Sequence, residues 1–456
     1  MRKQLFALLM CLPSIGLPPL IAGNNWPGFR GIAGVGVVQD AQLPHRWDAT
    51  DPNDPAVRWR VHVPGLGHGS PVVFGNKIFL TTAIASDGRA SLKLGRGGIK
   101  AAEGDGEQTW AVLCYDKTSG ALLWQKDVKT GEPRATRHAK ATHANTSVAV
   151  DEDRVVAFFG SEGLYCLDHD GELLWEKDLG IIDVSKYDIG WGYASSPVIH
   201  DDVIVLVCDD PNDPYLVTLD LETGNEVWRK PRQGDCERSW STALVHATNE
   251  SAQVVVNGWP WIVSYDLASG EEIWRIEGGG DNPTPTPFAI DHRIYVTNSH
   301  GGESPIIVVD ENAKGNLTED ADAAAKSLIW RTDRGGSYMS TPIVVHDRLY
   351  LGNTNGVIRC FDALSGDRVF EERLGRDASI YSSLVAAGNQ IYCPSEDGTV
   401  YVLRASDRLN VLSKNPMGEP CLASPAISGN VLLIRTTKSL VAIATRSALD
   451  VSDENH

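Results

Sequence analysis

An Asp, a Gly-containing turn and a Trp recur along this chain at near-constant spacing. The regular copies are CYDKTSGALLW, CLDHDGELLW, TLDLETGNEVW and SYDLASGEEIW. They place Asp116, Gly120 and Trp124; Asp168 and Trp175; Asp220, Gly224 and Trp228; and Asp266, Gly270 and Trp274. A fifth copy, Asp310 to Trp330, carries an insertion, and a sixth, CFDALSGDRVF, ends at Phe370 after Asp362. An Asp- and Gly-rich turn between apolar runs is a hairpin signal. Self-similarity at a fixed period decides architecture ahead of local propensity.

Counting from Trp59 through the outer aromatics, and taking Val411 as the eroded last position, gives spacings of 65, 51, 53, 46, 56, 40 and 41 residues. The shortest match a four-stranded propeller blade of ~40–45 residues, the longer ones the same unit with loop insertions. Each unit opens on an apolar strand, a polar turn and a second apolar strand, as in GSPVVFGNKIFL at 69–80 and ASPAISGNVLLI at 423–434. Eight such openings predict an all-β, eight-bladed β-propeller. The eighth unit has no Trp strand of its own, and VRWRVHV at 57–63 has no blade before it. The expected resolution is circular: 57–63 completes the last blade and removes the edges an open ring would leave. The Trp residues, with Phe370, are then expected to dock one blade on the next.

Around the ring, 57–446, the sequence divides into an export signal at 1–23, an extension at 24–56 and an acidic tail at 447–456. The signal has a basic start (Arg2, Lys3), an apolar run from Leu5 to Leu12 and small residues at Ala22 and Gly23. A periplasmic or secreted location follows as the expectation, with no transmembrane segment. Cys11 lacks the small preceding residue a lipidation site needs. The block 311–326 reads as an exposed loop inserted in blade 5. A formal charge of −18 argues against nucleic acid and anionic membrane as partners. Two basic loops depart from it: Arg89, Lys93, Arg96 and Lys100, and Arg134, Arg137 and Lys140. Of the eight Cys, Cys114, Cys166 and Cys360 hold the same place in different blades, out of disulfide reach, and read as small buried residues.

The repeated D-x-x-T/S-G-x-x-x-W strand end resembles the PQQ-like (quinoprotein-type) repeat and its tryptophan-docking motif. NNWPGFRG at 24–31 resembles the start of secreted bacterial PQQ-like repeat proteins of unassigned role. The resemblance implies two functional classes: pyrroloquinoline-quinone alcohol dehydrogenases, and non-catalytic scaffolds such as BamB. The dehydrogenase class implies a Ca²⁺ held by Glu, Asn and Asp, a catalytic Asp and usually two adjacent Cys. This chain has no Cys–Cys pair and no CxxCH haem site. Asp235 and Glu237 are the first Ca²⁺ candidates, but they do not match the enzyme pattern.

Residues just before each opening strand are expected at one mouth of the central channel, where His68, His143, Trp191, Tyr193, Trp240, Tyr338 and Tyr381 gather. Such a funnel suits a peptide, glycan or planar ligand, or else these side chains plug the channel themselves. The expected function is an exported, non-enzymatic propeller, a monomeric ring acting as a protein-binding or assembly scaffold. No catalytic residue, metal or cofactor is expected. The alternatives are a periplasmic PQQ- and Ca²⁺-dependent dehydrogenase, and a carbohydrate-binding or carbohydrate-active propeller.

Overall fold

The computed structural model describes residues 24–445 except 89–91, 96–99, 103–104, 187–188 and 249–250. The expected signal segment, the acidic tail, Arg89 and Arg96 lie outside the described residues. Eight antiparallel sheets of four consecutive-type strands form an eight-bladed propeller. Blade 1 runs Val72–Phe74, Lys77–Ala85, Gln108–Asp116 and Leu122–Gly131 from the channel outward. In blade 8, Val57–His62 pairs antiparallel with Ser439–Ala444, so the N-terminal strand closes the ring.

The repeat specifies this geometry through three linked contacts. First, the Asp carboxylate accepts backbone N–H bonds inside its own turn: Asp116 from Ser119 at 2.7 Å, Asp220 from Thr223 and Asp266 from Ser269 at 2.8 Å, Asp362 from Ser365 at 3.0 Å, and Asp168 from Glu172 at 2.9 Å. Second, the turn Gly adopts positive φ, as at Gly120 (+74°) and Gly224 (+69°). Third, the outer Trp of the preceding blade lies on that Gly. A Cβ at Gly120 would sit 2.7 Å from the Trp59 ring, and one at Gly224 2.8 Å from Trp175. The indole N–H then donates to a carbonyl of the same turn: Trp59 to Lys117, Trp124 to His169, Trp175 to Leu221, Trp228 to Leu267 and Trp330 to Ala363, at 2.8–3.1 Å.

Two positions depart from the sequence reading. In blade 7 the connection between the third and fourth strands is one residue longer than in the regular blades, so Ser413, not Val411, pairs with Val402 where other blades have the aromatic. Trp47 from the N-terminal extension supplies the missing ring to the core joining blades 7 and 8, stacked on Tyr392 at 6.3 Å. The block 311–326 is not simply an exposed loop. Gly315–Asn316 pairs in parallel with the outer strand of blade 4, Asp320 caps a short helix at Ala321–Ser327, and Ala313 and Leu317 are buried. With this insertion replacing the usual turn, Trp274 bonds back to Gln253 of its own blade at 3.1 Å.

Candidate functional site

The central channel is closed on one face by the chain's own start. Trp26 bridges to Val73 in blade 1, Val150 of blade 2 donates to Pro27, and Val37–Val38 pairs in parallel with the inner strand of blade 7. Between them Arg30, 1% exposed, donates to the carbonyls of Thr341, Pro342 and Leu384 and to Gly34 and Val35, at 2.8–3.2 Å. Among the described residues no carboxylate balances it, and burial lowers its pKa to about 9.

On the opposite side the channel widens into a cavity of about 620 Å³ whose lining includes Phe29 of this plug. Five of the seven expected funnel residues line it: His68, Trp191, Trp240, Tyr338 and Tyr381. They stand on the connections from one blade's outer strand to the next blade's inner strand, which the repeat brings to a single mouth. His143 and Tyr193 are set back from it. His143 bonds Asp105 at 2.9 Å, the Tyr193 hydroxyl donates to Val207 at 2.6 Å, and both border a separate crevice of about 30 Å³, water-sized.

The rings in the wall are held in place. Trp191 stacks on His138 at 5.1 Å and 8°, Tyr338 on His300 at 5.9 Å and 26°, and the Trp240 indole donates to Gly192 at 2.9 Å. Lys140 bonds Glu396 at 2.8 Å and the Tyr381 hydroxyl at 3.0 Å. Burial opposes its charge, but Glu396 and Tyr381 outweigh that and raise its pKa. Burial, with Arg435 and Arg137 nearby, lowers the His68 pKa to about 4, so this imidazole is neutral at physiological pH. Sequence spacing missed Arg238, His300 and Asp281. Arg238 is two residues before Trp240, and counting back two from each opening aromatic would have found it.

The two basic loops share this face. Lys93 N donates to Ala139, Ala139 N to Lys100 and Ala102 N to Arg137, at 2.8–3.0 Å. Of their described cations, Arg137 holds Asp105 at 2.6 Å, Arg134 holds Asp178 at 3.0 Å and Lys140 holds Glu396 at 2.8 Å. Burial pushes the Asp105 pKa up, but bonds from His143 and Arg137 outweigh it and hold it at about 2. Its folded pKa lies below the ordinary 3.8, so its stabilisation is complete above pH 3.8 and is lost as pH falls toward 2. Asp105→Asn is therefore expected to lower the urea midpoint at pH 6, with the gap to the parent closing between pH 4 and 2.

A Ca²⁺-held quinone does not fit these residues. Asp281 is the one carboxylate among the described lining residues, and it is committed to His300 at 2.5 Å. Asp235 pairs with Arg275 at 2.9 Å, Glu237 is exposed, and neither lines the cavity. Among the described residues no three His, Cys, Asp or Glu side chains gather as a metal site. The seven described cysteines are buried and free.

A sequence model of the family described as outer membrane protein assembly factor BamB matches residues 111–275, 212–317 and 260–451. The chain belongs to this BamB family. Two curated relatives, BamB of Burkholderia pseudomallei (strain K96243) and of Moranella endobia (strain PCIT), are 29% identical over 123 and 118 residues. Those stretches are 26% and 24% of this chain, and span only about a third of each relative, 31% and 30%. Among solved structures, BamB from Moraxella catarrhalis superposes with TM-score 0.53 at 17% identity, covering 81% of this chain and 98% of that one. A europium-containing methanol dehydrogenase gives 0.61 at 12%, covering 93% and 90%. The quinohemoprotein alcohol dehydrogenase of Comamonas testosteroni gives 0.60 at 12%, covering 92% and 80%. At these identities the likeness to solved structures is one of fold alone.

Proposed function

We propose that this chain is an exported, non-enzymatic propeller that binds a protein partner in an assembly role. The observation that carries the proposal is the funnel: a cavity of about 620 Å³, walled by fixed aromatic rings on a closed ring and floored by the chain's own N-terminal segment. Rigid aromatic walls bury large ligand area at low entropic cost, as protein-binding surfaces do. Membership of the BamB family supports the assembly role. Export rests on the basic and apolar start of residues 1–23.

A photo-crosslinking residue placed at Tyr338 or Tyr381 in the producing bacterium tests this. Discrete protein adducts are expected there, and none from Glu152, exposed on a turn at the opposite face. Equal adducts from Glu152, or none at the funnel, contradict the proposal. Saturable binding on a glycan array with no protein adduct would replace it with the carbohydrate reading.

A further inference from the structure

The seam between blades 4 and 5 is built differently from its neighbours. At five seams the outer Trp donates directly to the carbonyl one residue past the turn Asp. An indole and an amide make that contact, and neither titrates near neutral pH. By the same rule Trp274 should reach the Glu311 carbonyl. It does so only through Gln253: the Trp274 indole donates to Gln253 Oε1 at 3.1 Å, and Gln253 Nε2 donates to the Glu311 carbonyl at 2.6 Å. The Glu311 side chain adds a second bridge. Its Oε2 lies 2.7 Å from His246 Nε2, on the inner strand of blade 4. Its Oε1 lies 2.6 Å from His292 Nδ1, in the first hairpin of blade 5.

We infer that the Glu311 carboxylate, clamped between these two imidazoles, is a proton-operated latch that tightens the seam between blades 4 and 5 in mild acid and slackens it above neutral pH. One carboxylate oxygen faces each ring, so each imidazole can place an N–H on the anion in either protonation state. Protonating a ring turns a neutral hydrogen bond into a charge-assisted one, roughly twice as strong. Histidine is the side chain whose ordinary titration falls in this pH range. The neighbouring charges act in the same sense. Asp291 and Asp310 flank His292 and favour its cation, while the Arg293 guanidinium is turned onto the Asp291 carbonyl at 3.1 Å. Among the described residues the two imidazoles are the only cations paired with Glu311.

The bond to Glu311, helped by its charge, lifts the His292 pKa above 6.5. Burial pushes the Glu311 pKa up, but the bonds from His246 and His292 outweigh it and hold it below 4.5. The His292 contribution is therefore complete below pH 6.5 and is lost as pH rises through its raised value. The Glu311 contribution is complete above pH 4.5 and is lost as pH falls through its lowered value. Between pH 4.5 and 6.5 both are in place. What the latch secures is the insertion that Glu311 opens. Glu311 N donates to the His292 carbonyl at 3.0 Å, and Gly315–Asn316 then pairs with the outer strand of blade 4, Glu272–Glu277.

Amide hydrogen exchange on the full chain tests this, read as protection factors, which remove the intrinsic pH dependence of exchange. Between about pH 5.5 and 8, protection in 272–277 and 311–327 is expected to fall about fivefold, the difference between a charge-assisted and a neutral bond. Protection in Glu226–Pro231, where Trp228 docks on the Leu267 carbonyl, should stay level. The double variant His246→Gln/His292→Gln keeps an amide donor at each position. It should hold the parent's alkaline level of protection at both pH values. Glu311→Gln should do the same and should also lower the His292 titration midpoint read by NMR, with thermal unfolding confirming that the variants fold. A parent whose protection is level across this range overturns the inference whatever the variants do. So does a pH-dependent loss that persists in the double variant, a His292 midpoint unmoved by Glu311→Gln, or an equal loss in 226–231, which would mark softening of the whole ring.

Discussion

Arg30→Ala is expected to lower the unfolding free energy by about 3–5 kcal/mol, the range of a large buried truncation that also strands buried acceptors. The side chain is the post around which the N-terminal plug is built. It donates to carbonyls of blades 6 and 7 and to its own segment at Gly34 and Val35. Burying an uncompensated guanidinium is expensive, so the folded ring must hold it with every donor engaged, and removing it leaves a void in the channel. Urea denaturation reads the loss. Limited proteolysis adds the location: the variant is expected to be cut first between residues 24 and 40, and the parent not. A variant with an unchanged midpoint would show that the segment does not close the channel.

Trp59→Ala is the second large effect, at about 2–4 kcal/mol for a partly buried Trp. Its ring covers Gly120 of blade 1 and its N–H donates to Lys117. It thus joins the blade that contains both chain ends to the first blade. Trp124→Ala removes a chemically equivalent contact between blades 1 and 2, where the chain itself continues across the seam. Both variants should lose similar stability in urea. Only Trp59→Ala should also free its terminal strand, seen as faster amide exchange in 57–62 and 439–444. Equal exchange in the two variants would argue against closure at that seam.

The ring was legible because its signals are local and repeated. Asp, turn and Gly lie within five residues, the Trp or Phe follows at a near-constant offset in five of six copies, and eight repeated unit openings average out individual erosion. Blade 7 shows the limit: its connection has lost the turn Asp and Gly and is one residue longer, and sequence spacing selected Val411 where Ser413 stands. The extension at 24–56 repeats nothing, so neither Trp47's role in the core between blades 7 and 8 nor Arg30's place in the channel could be read. Three of Arg30's five acceptors are backbone carbonyls more than 300 residues away, and carbonyls carry no sequence signature. At the funnel, position in the repeat found the aromatic residues. It could not separate His143, turned onto Asp105, from His68, which faces the cavity.

The proposed function is that of a funnel binding a protein chain, without quinone chemistry. Its most direct test is to equilibrate the purified protein with PQQ and Ca²⁺, record the quinone absorbance after desalting, and assay alcohol-dependent dye reduction. The predicted result is no stoichiometric quinone and no reduction above that of a protein-free control. One quinone retained per chain, with Ca²⁺-dependent turnover, would contradict it.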